Sequence, residues 1–232
     1  MNQPDFYTTI ERPSNAEFKD RGSKFIAFAF PIETADDFKQ QLQVLKKEHP
    51  KAVHHCFAYR IGIDGNNFRS SDDGEPSGTA GKPILGQIDS KGITNAAIIV
   101  VRYWGGTMLG VPGLINAYKT TAALALQVTP VVERQIEVSY SIEFDYTLMN
   151  EVMILMKQFN CNILSNEMQL FCIIKAGIPK NRLNEILYRL NDLQNVSVKK
   201  SVSTQGICNF LKTILCPQKK SIKVSGVFIL II

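Results

Sequence analysis

The chain has 232 residues, 45% of them hydrophobic and 20% charged, which is typical of a soluble globular protein long enough for two modest domains. Its five scattered cysteines form no C-x-x-C pair, which excludes a zinc ribbon or thioredoxin motif, so we expect reduced thiols. Residues 1–14 contain no apolar run for a signal peptide, so we expect a cytoplasmic location. The net charge of +5 comes mainly from residues 201–232, whereas residues 1–130 carry 14 Lys and Arg against 13 Asp and Glu, so the strongly basic body typical of a nucleic-acid binder is absent.

The first predicted elements are a strand and a helix. Residues 24–31, K-F-I-A-F-A-F-P, alternate large residues with Ala, which predicts a strand. Thr34 and Asp37 have the spacing of a capping box, with Asp in the place of the usual Glu or Gln. The apolar residues that follow recur with helical spacing until Pro50, and they are Phe38, Leu42 and Leu45.

Residues 53–61, V-H-H-C-F-A-Y-R-I, predict a second strand, followed by a D-G-N-N turn and a return strand that begins at 68. Side chains alternate along a strand, so His54 and His55 point to opposite faces and cannot bind one metal together. The same alternation separates Cys56 from His55, which argues against a Cys-His nucleophile, and we expect Cys56 to be buried. We expect no metal and no cofactor.

The loop over 70–83, S-S-D-D-G-E-P-S-G-T-A-G-K-P, contains no large apolar side chain. Its first half carries Asp72, Asp73 and Glu75, which could accept protons, repel an anion or hold a metal. Its second half offers hydroxyls, backbone N–H groups and Lys82, which together could hold an anion. The alternative is that the loop is a tight connection whose acids cap backbone groups.

After a short helix over 84–88, the apolar run 96–101 predicts a strand covered on both faces. The segment over 102–114, R-Y-W-G-G-T-M-L-G-V-P-G-L, is rich in glycine and leads into a helix over 114–127. A strand, a glycine-rich turn and a helix N-terminus suit phosphate or another anion. Tyr103 and Trp104 could stack on a base, or they could fill the core beside the strand end.

The glycines do not match the nucleotide-binding patterns. A P-loop would need Gly at 76 and Ser or Thr at 83, where the chain has Pro76 and Pro83. The glycines that follow Trp104 do not have the G-x-G-x-x-G spacing either. A P-loop enzyme and a Rossmann enzyme are therefore disfavoured.

The second half of the chain predicts a βαββαβ order, which is a ferredoxin-like plan. Its predicted elements are a strand over 135–144, a helix over 146–159 capped by Asp145, strands over 161–164 and 169–176 joined by a turn at Ser165-Asn166, a helix over 181–190 opened by Pro179, and a strand over 195–199. Residues 201–232 have no acid and end in an apolar run too short to span a bilayer, so we expect an appended, poorly ordered tail or a weak membrane-surface anchor.

Three motifs resemble the IMPACT/YigZ family: A-V-H-H-C-F-A-Y-R-I-G at 52–62, F-R-S-S-D-D-G-E-P-S-G-T-A-G-K-P-I-L at 68–85 and V-V-R-Y-W-G-G-T-M-L-G at 100–110. The resemblance covers roughly residues 17–200. It implies an α+β protein: an N-terminal β/α domain like domain 2 of ribosomal protein S5 over 1–130, a small ferredoxin-like domain over 131–200, and the tail over 201–232. One departure is that Pro112 and Asn116 stand where the family commonly has Gly and Arg.

The resemblance also implies a function, since eukaryotic relatives regulate translation by binding partner proteins. The first hypothesis is therefore a non-enzymatic binding protein linked to translation, docking on RNA, the ribosome or a protein partner. The second is that 70–83 only stiffens a corner of the domain, and the third is a hydrolase that uses the acids and hydroxyls of 72–82. Cations expected near the glycine-rich loops, as phosphate contacts, are Arg60, Arg69, Lys82, Arg102 and Lys119.

The predicted binding residues lie in both glycine-rich segments, which we expect to meet in one concave, anion-binding surface. No catalytic residue is assigned. The predicted binding residues are Arg69, Ser71, Asp72, Asp73, Glu75, Ser77, Gly78, Thr79, Gly81, Lys82, Arg102, Tyr103, Trp104, Gly105 and Gly106.

Overall fold

The computed structural model describes residues 5–168 and 170–201, which form a mixed arrangement of helices and strands. The strands are β1 (Phe6–Ile10), β2 (Ser14–Asp20), β3 (Ser23–Pro31), β4 (His54–Ile61), β5 (Asn67–Ser71), β6 (Ala96–Tyr103), β7 (Val131–Gln135), β8 (Glu137–Phe144), β9 (Asn162–Met168), β10 (Cys172–Pro179) and β11 (Val196–Lys200). The helices are α1 (Ala35–Glu48), α2 (Gly81–Ser90), α3 (Gly110–Gln127), α4 (Met149–Gln158) and α5 (Leu183–Asp192).

A five-stranded antiparallel sheet with the order β2-β3-β6-β4-β5 dominates the first half of the chain. The central strand β6 is the predicted apolar run, and it is buried on both faces. Ile98 and Val100 pack in a cluster with residues of α2 and α3, while Ile99 and Val101 pack in a cluster with residues of α1. The sheet therefore has one helix on one face and two on the other.

The capping box predicted for α1 is confirmed. The Thr34 hydroxyl accepts from the N–H of Asp37 at 3.1 Å, and the Asp37 carboxylate accepts from the N–H of Thr34 at 2.8 Å. These bonds satisfy N–H groups that the helix itself cannot satisfy. At its other end α1 reaches the end of β6, where His49 Nδ1 and the Tyr103 hydroxyl are 2.8 Å apart.

A four-stranded antiparallel sheet with the order β11-β8-β10-β9 forms the second half, and α4 and α5 pack against one face. The predicted turn at Ser165-Asn166 is wrong, because both residues lie inside β9 and pair with Lys175 and Ile174. The pairing shifts between Lys175 and Ala176, so Leu164 is the extra residue of a bulge. Cross-strand pairing overrides the turn preference of Ser-Asn.

A small sheet of β1 and β7 was not predicted, and β7 includes only the first residue of the strand expected over 135–144, which otherwise corresponds to β8. Phe6 pairs with Gln135 and Ile10 with Val131, after which the chain passes through the buried Ile136 into β8. The N–H of Ile136 donates to the carbonyl of Asp5 at 2.8 Å, and its own carbonyl accepts from Lys180 at 2.8 Å. The apolar alternation from Val138 to Phe144 therefore belongs to β8, whereas residues 131–135 pair with β1.

The prediction about the tail concerns residues 201–232, of which 202–232 lie outside the described residues. Within the part of the chain that the structure describes, no helix is long and apolar enough to cross a membrane.

Candidate functional site

A buried ion pair joins the two glycine-rich segments. The carboxylate of Glu75, from the 70–83 loop, lies 2.6 Å from the guanidinium of Arg102 at the end of β6. Only 3% of the Glu75 side chain and 8% of the Arg102 side chain are exposed. The pair forms because Arg102 continues the buried face of Ile98 and Val100, where a charge needs a partner. The ion pair thus joins the 70–83 loop to the start of the 102–114 segment.

Three further side chains surround the pair. The Tyr118 hydroxyl donates to the same Glu75 oxygen at 2.7 Å, and the Cys56 thiol donates to Tyr118 at 3.3 Å. His54 Nδ1 donates to the carbonyl of Asp73 at 2.7 Å, and its Nε2 is 3.9 Å from Glu75. Burial raises the pKa of both Tyr118 and Cys56, so the thiol stays protonated and is a poor nucleophile.

The carboxylate of Asp72 binds the N–H groups of its own loop. It accepts from Gly78, Ala80 and Gly81 at 2.8 to 2.9 Å, which places a negative charge at the N-terminus of α2. Burial alone would raise the Asp72 pKa, but these hydrogen bonds and nearby Lys82 lower it below its ordinary value. The anion held here is the protein's own carboxylate, where the sequence suggested an external one.

Two other residues of the loop, Asp73 and Thr79, are also hydrogen-bonded within the protein. Asp73 has a positive φ of 43°, and its carboxylate accepts from the N–H of His55 at 2.7 Å. The Thr79 hydroxyl donates to the carbonyl of Pro76 at 2.7 Å. Gly81 lies so close to Ser71 that an added Cβ would be 2.7 Å from its nitrogen. The alternative in which the acids of this loop cap backbone groups therefore describes Asp72 and Asp73.

The segment from Trp104 to Val111 presents large apolar side chains to solvent. Trp104 is 59% exposed, Met108 86% and Val111 52%. Gly105 anchors the segment, because its backbone lies against the Gly22–Ser23 peptide and leaves no room for a Cβ. Trp104 does not fill the core, which was one of the two alternatives for it.

The predicted binding residues are distributed over three levels of exposure. The buried ones are Glu75, Thr79, Gly81 and Arg102, and the half-buried ones are Ser71, Asp72, Gly78 and Tyr103. The exposed ones are Arg69, Asp73, Ser77, Lys82, Trp104, Gly105 and Gly106. Of the cations expected to contact phosphate, Arg102 is paired with Glu75, and Arg60 donates to Asp89 on α2 at 2.7 and 3.0 Å.

Sequence reasoning missed Tyr118, His54 and Cys56 as members of this cluster. The sequence contained two signals for this cluster. Alternation along β4 and β6 places residues 54, 56 and 102 on the face of the sheet that α3 covers, and a charged residue at the end of a buried apolar run requires an acid nearby. Among the described residues, no group of three or more His, Cys, Asp and Glu side chains could hold a metal ion. The Nε of Arg102 is buried without a hydrogen-bond partner among these residues.

Known proteins resemble this chain over the region that contains both glycine-rich segments. The model of the Impact N-terminal domain matches residues 21–126, which contain the site. YigZ of Escherichia coli is 31% identical over 179 residues, covering 76% of this chain and 88% of that protein. The chain belongs to the IMPACT family. YvyE of Bacillus subtilis is 34% identical and covers 63% of this chain and 67% of its own length.

The eukaryotic relative and the solved structures differ in how much of the chain they share. The IMPACT homolog of Saccharomyces cerevisiae is 35% identical over 46% of this chain, which is 42% of that protein. The crystal structure of a hypothetical protein superposes with a TM-score of 0.68 at 27% identity and covers 87% of this chain and 99% of its own. The translational regulator Yih1 is 26% identical over 53% of this chain and 47% of its own, with a TM-score of 0.32 that is too low for structural argument.

Proposed function

We propose that this protein is a non-enzymatic binding protein linked to the regulation of translation, and that it docks on a protein partner through residues 70–83 and 102–114. The observation that carries the proposal is the exposed apolar segment of Trp104, Met108 and Val111. Large apolar side chains that are held in solvent by an anchored backbone are typical of a surface that a partner covers.

The buried network supports this role by making the surface rigid. The ion pair of Glu75 and Arg102 joins the two segments, and the carboxylate of Asp72 holds the 70–83 loop through hydrogen bonds from its backbone N–H groups. A preorganised surface loses little conformational entropy when a partner binds. This arrangement supports binding more than hydrolysis, because the carboxylates proposed as base or metal ligands are engaged with Arg102 and backbone N–H groups.

The link to translation rests on family membership. The resemblance that identifies the family implies partner binding in eukaryotic translational control, and one protein with 26% identity is described as a translational regulator. Docking on RNA or the ribosome is the second form of the proposal. The internal use of the N–H groups of the 70–83 loop supports a protein partner over a phosphate ligand.

We propose the finer fold assignments on similar grounds. The strand order β11-β8-β10-β9 of a βαββαβ unit supports a ferredoxin-like C-terminal domain, and the helix-covered sheet of β2 to β6 is the candidate for the S5 domain 2-like unit. The division into 1–130 and 131–200 and the cytoplasmic location remain proposals. The separate hydrophobic clusters of the two larger sheets support the division.

Photo-crosslinking tests the docking surface. A benzophenone amino acid at position 108 is expected to crosslink to a protein in a translating extract of the source organism, and the product should survive ribonuclease. A matched probe at Leu170, which is 92% exposed and lies outside both segments, should give no such product.

The same extract provides a functional measurement. Added protein is expected to change the yield of a translated reporter, and Met108→Asp should abolish the change while Leu170→Asp preserves it. A crosslink at 108 that disappears with ribonuclease would favour the RNA form of the proposal. Equal products from both positions and equal effects of both variants would contradict a specific docking surface.

A further inference from the structure

We propose that the partner engages this surface through an acidic polypeptide segment with apolar anchor side chains, and that lysines at the end of α1 take part in the contact. This inference rests on the proposed function and deepens it. None of these lysines belongs to the two glycine-rich segments, so the proposal enlarges the site to the corner between α1 and β4.

The corner between α1 and β4 lies directly beside the apolar segment. The N–H of Val53 donates to the carbonyl of Arg102 at 2.9 Å, and His49 contacts the Tyr103 hydroxyl at 2.8 Å. Val53 is 55% exposed, so it extends the apolar surface of Trp104 toward the corner. The contacts on both sides of the corner place it next to the exposed apolar side chains.

Charge at the corner has one predominant sign. Lys46 and Lys47 lie in the last turn of α1, Lys51 follows, and all three are exposed. The acids beside these lysines are Glu48 and Asp73, and the carboxylate of Asp73 is engaged by the N–H of His55 at 2.7 Å. On the other side of the surface, no Asp or Glu occurs between residues 90 and 132. The three lysines would therefore attract an acidic segment, and the apolar segment contributes no carboxylate that would repel it.

The apolar side chains favour a polypeptide over RNA. Val53, Met108 and Val111 cannot stack on bases, and Trp104 is the only aromatic side chain among the exposed apolar residues of this surface. An apolar centre with a charged rim is the usual anatomy of a protein interface, in which Trp and Met are enriched. Acidic residues on the partner would pair with the rim while its apolar residues cover the centre.

Selection from a phage-displayed library of random peptides tests the inference on the full chain. We expect the enriched peptides to combine Asp or Glu with Leu, Phe or Trp. Binding of the best peptide, measured by fluorescence polarisation, should weaken roughly tenfold in K46S/K47S/K51S and also fall when salt is raised. The control variant K39S/K91S/K199S removes three lysines elsewhere and should change the affinity less than about twofold.

Further outcomes separate this inference from the proposed function. Peptides that lose binding in Met108→Asp, but lack acids and ignore the three lysines, would overturn the acidic partner and leave the docking surface in place. Failure to enrich any peptide that depends on Met108 would overturn both. An oligouridylate RNA that binds through the three lysines and displaces the peptides would replace the polypeptide by RNA.

Discussion

At the scale of single residues, Arg102 depends on Glu75 for its place in the interior. Removing one member of a buried ion pair leaves an uncompensated charge and typically costs about 3–5 kcal/mol. We therefore expect Arg102→Met to lower the free energy of unfolding by about 3 kcal/mol. In urea unfolding, Glu75→Gln combined with Arg102→Met should cost less than the sum of the two single changes, and strict additivity would mean that the two groups do not interact.

Asp72 makes stability depend on pH. Its pKa in the folded protein is lowered, so its contribution is present above the unfolded pKa of about 3.9 and is lost as pH falls through the folded value. Asp72→Asn should cost about 1–2 kcal/mol at pH 7, as expected for a carboxylate that caps a helix. The difference in urea midpoint between wild type and variant should shrink toward pH 3. Asp192→Asn, at the exposed end of α5, is the control.

At the scale of elements, the close approach of Gly105 to the β2–β3 turn positions the apolar segment. Gly105→Ala would force the backbones apart, and we expect a loss of about 1–3 kcal/mol in thermal or urea unfolding. Gly86→Ala is the matched control, because Gly86 is exposed within α2 and an added Cβ meets nothing within 4 Å. That substitution should stabilise the protein by about 0.5–1 kcal/mol. Equal losses in both variants would contradict the packing argument.

Elements with strong local signals were predictable from the sequence. The capping box at Thr34 and the apolar run of β6 determine α1 and the central strand without long-range information. The pairing of β1 with β7 depends on contacts between residues far apart in the chain, and the position of the β9–β10 turn depends on cross-strand pairing, so local propensity could not predict either. The two glycine-rich segments of the site were predicted from the sequence. Tyr118 was not, because only the packing of α3 brings it to these segments.

At the scale of the whole molecule, the two larger sheets have separate hydrophobic clusters. Ile98 and Ile142 are both fully buried, one in each cluster. If the proposed domains are separate folding units, Ile142→Ala should lower the midpoint of one calorimetric transition and leave the other unchanged, and Ile98→Ala should do the reverse. Truncation of a core Ile to Ala costs about 2–5 kcal/mol, which is large enough to resolve.

The pairing of β1 with β7 decides how independent the two transitions can be. β7 connects α3 to β8 and pairs with β1, so the strand that leads into the second unit is hydrogen-bonded to a strand of the first. Ile136 donates to Asp5 and Glu11 donates to Pro130, so the odd positions of β1 direct their N–H groups toward β7. Tyr7→Pro would remove one of these N–H groups, and we expect it to separate the two transitions further if β1–β7 pairing transmits stability between them. A single transition that both core substitutions shift equally would contradict the proposed division at residue 130, because it would make the two clusters one cooperative unit.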